Sequence, residues 1–167
     1  DTIMAEAQLP VNLEMAATEE MLAIALRHKP HAACIVPERR EERTTEGGLD
    51  AAGQHNHLAP IIGKLLDAGI RVSLFIEPDA RQIEASMHLR VPVIEFHTGR
   101  YAHLFQDDDM AGVEAELKRL SDAAALAAKN GIEPHAGHGL TFENVQPIAA
   151  IPQIAELNIG HYLVGEA

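Results

Sequence analysis

A (β/α)8 barrel is the fold class this sequence predicts, on three observations. Short apolar runs alternate with amphipathic helical stretches along the whole chain, giving about six strands, and such alternation means parallel strands covered by helices. The polar residues Asn12, Glu14, Glu77, Glu95, His97, His138 and His161 fall at or near the C-terminal ends of those strands. In a barrel that end carries the chemistry, whereas core strands elsewhere stay apolar. No G-x-G-x-x-G follows a strand, as the first turn of a doubly wound sheet would require.

In chain order, Val11 to Met15 reads as a strand with Val11, Leu13 and Met15 on one face and Asn12 and Glu14 on the other. Thr18 caps a helix whose first turn carries Glu19 and Glu20, favourable at the positive end of the dipole. Its stripe is Met21, Leu22, Ala25 and Leu26, and Pro30 ends it. Ala32 to Val36 is the next strand. Glu38 to Gly53 is a charged, glycine-containing loop longer than a packing connection needs, and such loops are commonly functional. Helical spacing resumes at Leu58, Ile61, Ile62, Leu65 and Leu66 and stops at Gly69. Val72 to Ile76 is a strand, Pro78-Asp79 opens a helix through Ile83 and Met87, and Val91 to Thr98 is a strand. Asp107 to Asp109 reads as a solvated loop or helix start before a helix from Val113 to Lys129. Ile132 to Gly139 is extended, with the regular ladder expected only after Pro134. Thr141 is expected to cap a helix containing Ile148, and Leu157 to Leu163 to form the last strand, with no helix after it.

The apolar fraction of 47% and charged fraction of 23% are those of a globular domain, and 167 residues suffice for one core but not comfortably for two. A net charge of −12 argues against nucleic acid and anionic membrane as partners. The single cysteine, Cys34, lies in an apolar run and reads as a buried core thiol, which suits a reducing, cytoplasmic compartment. Six units do not close a ring of eight, and a barrel runs to roughly 250 residues. Residues 1–167 are therefore expected to be a single-domain portion of a barrel, covering about strands three to eight and lacking two strand–helix units and the final helix.

Five segments occur in order: V-N-L-E-M-A at Val11 to Ala16, T-T-E-G-G-L-D at Thr44 to Asp50, I-E-F-H-T-G at Ile94 to Gly99, A-G-H-G-L-T-F-E-N-V at Ala136 to Val145 and L-N-I-G-H at Leu157 to His161. Together they closely resemble the pyridoxine 5′-phosphate synthase family of bacterial vitamin B6 biosynthesis. The resemblance implies condensation of 3-amino-2-oxopropyl phosphate with 1-deoxy-D-xylulose 5-phosphate, releasing phosphate and water as the ring forms. Such a sequence needs several proton-exchanging groups. The resemblance implies no metal or organic cofactor, and a symmetric homo-oligomer, an octamer in that family. It assigns Glu14 as a base, Glu95 as the group stabilising charge in the transition state and His138 as proton donor. Thr44 would bind the deoxyxylulose phosphate, with Thr45 its competitor if the loop register slips. Gly139, Gly160 and His161 would contact the aminoketone phosphate, in keeping with phosphate binding after the last barrel strands. The family's first two strands supply further ligands, a histidine base and arginines, which are not found in this sequence.

Other readings stand beside these. Arg39, Arg40 and Arg43 form a solvated charge run that could reach a phosphate. His55, His57, His88 and His103 read as ordinary surface or loop groups, and His97 as support for the site. A metal-dependent barrel hydrolase would use His97, His135, His138 and Glu95 as ligands. A non-catalytic binder of phosphorylated metabolites would keep Gly139, Gly160 and His161. His135 and His138 lie three apart, so on a regular strand their side chains would point to opposite faces, with His135 packing or supporting the site from behind.

Overall fold

The computed structural model describes residues 2–42, 44 and 47–166, with Arg40 by its backbone only. Arg43, Thr45 and Glu46, and with them the alternative loop register, lie outside the described residues. Among those residues, six parallel strands form one sheet in chain order: β1 (Asn12–Met15), β2 (Ala32–Ile35), β3 (Arg71–Ile76), β4 (Val93–His97), β5 (Glu133–Gly137) and β6 (Glu156–Asn158). A short N-terminal helix α1 (Thr2–Glu6) precedes them. The connections carry α2 (Glu19–His28), α3 (His55–Asp67), α4 (Ala80–His88), α5 (Gly99–Gln106), α6 (Met110–Lys129) and α7 (Val145–Ala149). A last helix, α8 (His161–Glu166), follows β6.

The pleat separates two populations. Met15, Ala33, Ile35, Val72, Leu74, Ile76, Ile94, Phe96 and Ala136 face outward and are buried with Leu22, Leu58, Ile62, Leu65, Ile83, Leu120 and Ile148 of the helices. Their alternates, including Glu14, Cys34, Ser73, Glu95, His97 and His135, fall on the inner face. That face is strongly concave. Cys34 on β2 reaches Glu95 on β4, and Asn158 on β6 reaches the same carboxyl, each across an intervening strand. A flat sheet would hold such residues two strand spacings apart, so the arrangement is that of an incomplete barrel.

The helix signals act where the sequence places them in α2 and α4. Thr18 accepts from Met21 N–H at 3.2 Å, and Asp79 accepts from Arg81 and Gln82 N–H. Four elements differ from the sequence reading. The first is α5, which the sequence does not announce: Thr98 precedes it but gives it no side-chain cap, because its hydroxyl is committed to β5. The second is α6, which starts at Met110, capped by Asp109 accepting from Gly112 N–H at 3.0 Å. The third is α7, which begins only at Val145 with Asn144 in the cap position, so Thr141 does not cap it. Thr141 instead gives its N–H to Asn144 Oδ1 at 2.8 Å and takes that of Glu143. The fourth is β6, which ends at Asn158; the predicted strand residues His161 to Leu163 are helical.

Pro134 lies inside the ladder rather than before it, since β5 pairs with β4 from Glu133 onward. Its carbonyl accepts from Ala155 N–H at 2.9 Å, so its missing N–H faces the β6 side below the point where β6 begins to pair. No ladder bond is lost there, which is why proline is accepted.

Candidate active site

Three levels of inner-face residues stack along the barrel axis. At the N-terminal end, His135 sits between Glu133 (2.8 Å) and Glu156 (3.5 Å), and Glu133 is also held by Arg71 at 2.7 Å. His135, Glu156 and Arg71 border a small cavity of about 180 Å³ at the N-terminal end of the strands.

The middle level is built around Glu95. Its carboxyl is buried; Oε2 accepts from Asn158 Nδ2 at 2.8 Å and from the Cys34 thiol at 3.7 Å. Burial first, and the nearby Glu14 charge second, push Glu95 up to about 7. A carboxyl poised there exchanges a proton near neutrality. Burial and Glu95 together push the Cys34 thiol well above its ordinary value, so it stays protonated and donates. Glycine at 137 makes this level possible. A side chain there would meet the Glu95 carboxyl and stand 2.8 Å from the Asn158 carbonyl. Glu14, on β1 at the sheet edge, is exposed on the same face.

At the C-terminal level the imidazoles of His97 and His138 lie 4.8 Å apart, with Phe75 edge-on to His97 at 5.0 Å. His138 has φ +81° and is followed by Gly139 at φ +76°. A histidine in the left-handed region is held there at a cost, and such strain concentrates at functional positions. Thr98, fully buried, restrains this turn: its Oγ1 lies 2.7 Å from the Gly137 carbonyl and 2.6 Å from that of His138. The turn also overturns the expectation for the two histidines. Leaving the strand in the left-handed region returns the His138 ring to the inner side, the side on which His135 lies, but at the opposite end of the barrel. Burial, then His97, His103 and His161, hold His138 below its ordinary value.

Thr44 stands on the same rim. Its hydroxyl is 3.4 Å from Glu77 Oε1, which accepts from Gly48 N–H at 2.9 Å. A cavity of about 450 Å³ opens beside His138 and Gly139, bordered also by His103 and Asn144. Gly139 has no room for a side chain, since a Cβ would come 2.6 Å from that of Ala102. Gly160 has open space around it, and His161 is exposed at the start of α8.

Glu14, Cys34, Glu95 and Asn158 are thus gathered at one level and Thr44, His97 and His138 above them. The ligand set of a metal-dependent hydrolase is not gathered: His135 is engaged at the far end, and among the described residues no group of three or more His, Cys, Asp or Glu is arranged to hold a metal. Sequence reasoning assigned no role to Asn158, Gly137 or Thr98, and noted Glu77 only as a polar residue at a strand end. Inner-face parity with Glu95 was the available signal for Gly137, and the L-N-I-G-H segment for Asn158. Among the described residues, no helix is long and apolar enough to cross a membrane.

Comparison with known proteins bears on the family and the fold. The pyridoxine 5′-phosphate synthase of Zymomonas mobilis is 66% identical over 159 residues, covering 95% of this chain and 60% of that protein. That of Rhodospirillum rubrum is 63% identical over 97% of this chain and 64% of its own length, and that of Jannaschia sp. 58% identical over 99% and 66%. The chain therefore spans between 60% and 66% of these three relatives. A crystal structure of a xylose isomerase domain protein from Planctomyces limnophilus superposes with a TM-score of 0.58 over 92% of this chain and 64% of its own, at 13% identity, a likeness of fold alone. The family model described as pyridoxal phosphate biosynthesis protein PdxJ matches residues 1–167, and with relatives this similar along nearly its whole length the chain belongs to that family.

Proposed function

We propose that these residues form the greater part of a pyridoxine 5′-phosphate synthase. It would condense 3-amino-2-oxopropyl phosphate with 1-deoxy-D-xylulose 5-phosphate to pyridoxine 5′-phosphate, phosphate and water. The observation that carries this is Glu95: a buried carboxyl poised at about 7, beside Glu14 and below a strained histidine, in a family of this chemistry. Ring closure with two dehydrations needs groups that give and take protons near neutral pH.

In this reading Glu14, exposed on the inner face, removes protons from the condensed intermediate. Glu95 shares or withdraws a proton as charge develops, and His138 donates to the departing oxygen. Desolvation keeps the His138 imidazolium a readier acid than a free one. Thr44 would hold the sugar phosphate, and Gly139, Gly160 and His161 the aminoketone phosphate, the glycines allowing close backbone approach. No cofactor is assigned. We place these residues as about strands three to eight of a barrel in a homo-oligomeric, octameric, cytoplasmic enzyme whose remaining strands complete the phosphate sites.

Phosphate release by the full-length protein given both substrates tests the assignment. Wild type should release phosphate only with the pair, and Glu14→Gln should lose about 10²- to 10⁴-fold in kcat, the usual contribution of a positioned base. Binding of either substrate without release would favour the non-catalytic alternative, and unchanged turnover in Glu14→Gln would remove Glu14 as base.

A further inference from the structure

Glu77 stands one residue past β3 and is only 4% exposed. A carboxylate buried this deeply is tolerated only with donors and counter-charges around it. Its partners come from three different segments. Oε1 accepts from Gly48 N–H at 2.9 Å and lies 3.4 Å from the Thr44 hydroxyl, both in the loop between β2 and α3. His97 Nδ1, on β4, lies 3.1 Å from the same oxygen, at ion-pair distance though off the line of a good hydrogen bond. Arg119 Nη2, on α6, is 3.6 Å from Oε2 and is itself paired with Glu116 at 2.7 Å.

The loop is fitted to this carboxylate. A side chain at Gly48 would come 2.8 Å from the Glu77 backbone nitrogen, so the loop reaches Oε1 only because that position is glycine. On the other side, the Cε1–Nε2 edge of His97 faces two further glycines. A Cβ at Gly99 would stand 2.8 Å from Nε2, and one at Gly47 3.7 Å from it. The face of the same ring lies against His138. Its Nδ1 lies beside the carboxylate at ion-pair distance.

We propose that Glu77 is a positioning residue shared by the two halves of the site, holding the Thr44 loop through Gly48 and Thr44 and setting, through His97, the seat of the His138 ring. Naming those halves sugar-phosphate pocket and proton donor rests on the function proposed above; the coupling between them does not. His138 is faced by His97 from β4, His103 from α5 and His161 from α8, and Glu77 brings a carboxyl to this group through His97.

Hydrogen exchange on the full-length protein reads the coupling without turnover. In Glu77→Gln, which keeps the side-chain shape and an oxygen for Gly48, backbone exchange across residues 47–53 should quicken about tenfold, as loss of a charge-assisted hydrogen bond predicts. Exchange at the imidazole C2 position of His138 should change in the same variant. His97→Asn, whose amide can still meet Glu77, should leave the loop protected and change only His138. If either readout stays at its wild-type value in Glu77→Gln, the shared role is overturned and Glu77 anchors one side alone. With both substrates, Glu77→Gln should raise the KM for the sugar phosphate and lower kcat, whereas His97→Asn lowers kcat with that KM kept; wild-type kinetics in a natively melting Glu77→Gln would also overturn it. An inactive wild-type enzyme sinks the functional reading but leaves the two exchange measurements to decide the coupling.

Discussion

Glu95 is the residue whose chemistry the fold alters most. An ordinary glutamate titrates near 4.5, and this one is raised to about 7 by burial and by Glu14. Because the folded value lies above the unfolded one, the folded state binds the extra proton between those limits. Its stability therefore falls as pH rises from about 4.5 to about 7 and is flat above, a loss of about 3 kcal/mol for a shift of that size. Glu95→Gln keeps the shape and the Asn158 contact but cannot ionise. Urea denaturation of the full-length protein at pH 5 and pH 8 should show wild type losing stability across the interval and the variant losing markedly less, while its turnover collapses. Equal losses in both proteins would mean that some other group titrates. Asn158 restrains this shift, since its hydrogen bond lowers the Glu95 value. In Asn158→Leu the same denaturation series should place the end of the decline at higher pH than in wild type.

At the scale of the element, the end of β5 is where backbone and side chain were hardest to infer from sequence. The strands were legible because outward positions such as Val72, Leu74 and Ile76 are apolar and buried, a period-two signal that survives without any tertiary information. What was not legible depended on partners distant in sequence. Thr98 reads in sequence as the end of a strand, yet its hydroxyl is spent on the carbonyls of Gly137 and His138, roughly forty positions on, and α5 begins after it without a side-chain cap. His138 looked like a strand residue of fixed parity until the turn placed it at φ +81°. Thr98→Val, nearly isosteric but unable to donate, should cost about 1–3 kcal/mol because the His138 carbonyl loses its donor while that of Gly137 keeps the Thr98 backbone N–H, with Thr98→Ser close to wild type. Thermal melting measures the first part. A crystal structure of Thr98→Val should show His138 relaxed from the left-handed region; an unmoved His138 would show that Thr98 does not hold it. Gly137→Ala is the converse test at the same strand end. The added methyl displaces the Glu95 carboxyl, so the variant should lose about 1–3 kcal/mol by overpacking, together with the pH dependence described for Glu95.

For the molecule as a whole, the motif-bearing strand ends were readable as a site because a parallel barrel gathers them at one rim whatever lies between. Glu14 with Glu95, Thr44 with Glu77, and His97 with His138 are neighbours by topology rather than by sequence spacing. The same topology sets the last prediction. Among the described residues β1 pairs only with β2 and β6 only with β5, so each leaves one row of backbone groups unpaired. The inner face between them carries Asn12, Glu14, Arg71, His135 and Glu156, polar residues suited to a closed lumen rather than to a second apolar layer. Two open edges flanking a polar concavity are a poor end state, since unpaired strands recruit other chains and leave the sheet without its closing constraint. Residues 1–167 produced alone should therefore self-associate in light scattering and melt broadly. The full-length protein, with two further strand–helix units between β6 and β1 as proposed, should unfold in urea as one cooperative transition per protomer. A monomeric, sharply melting 167-residue chain would contradict this, because it would show that the open edges carry no penalty and that Glu14 needs no further wall beside it.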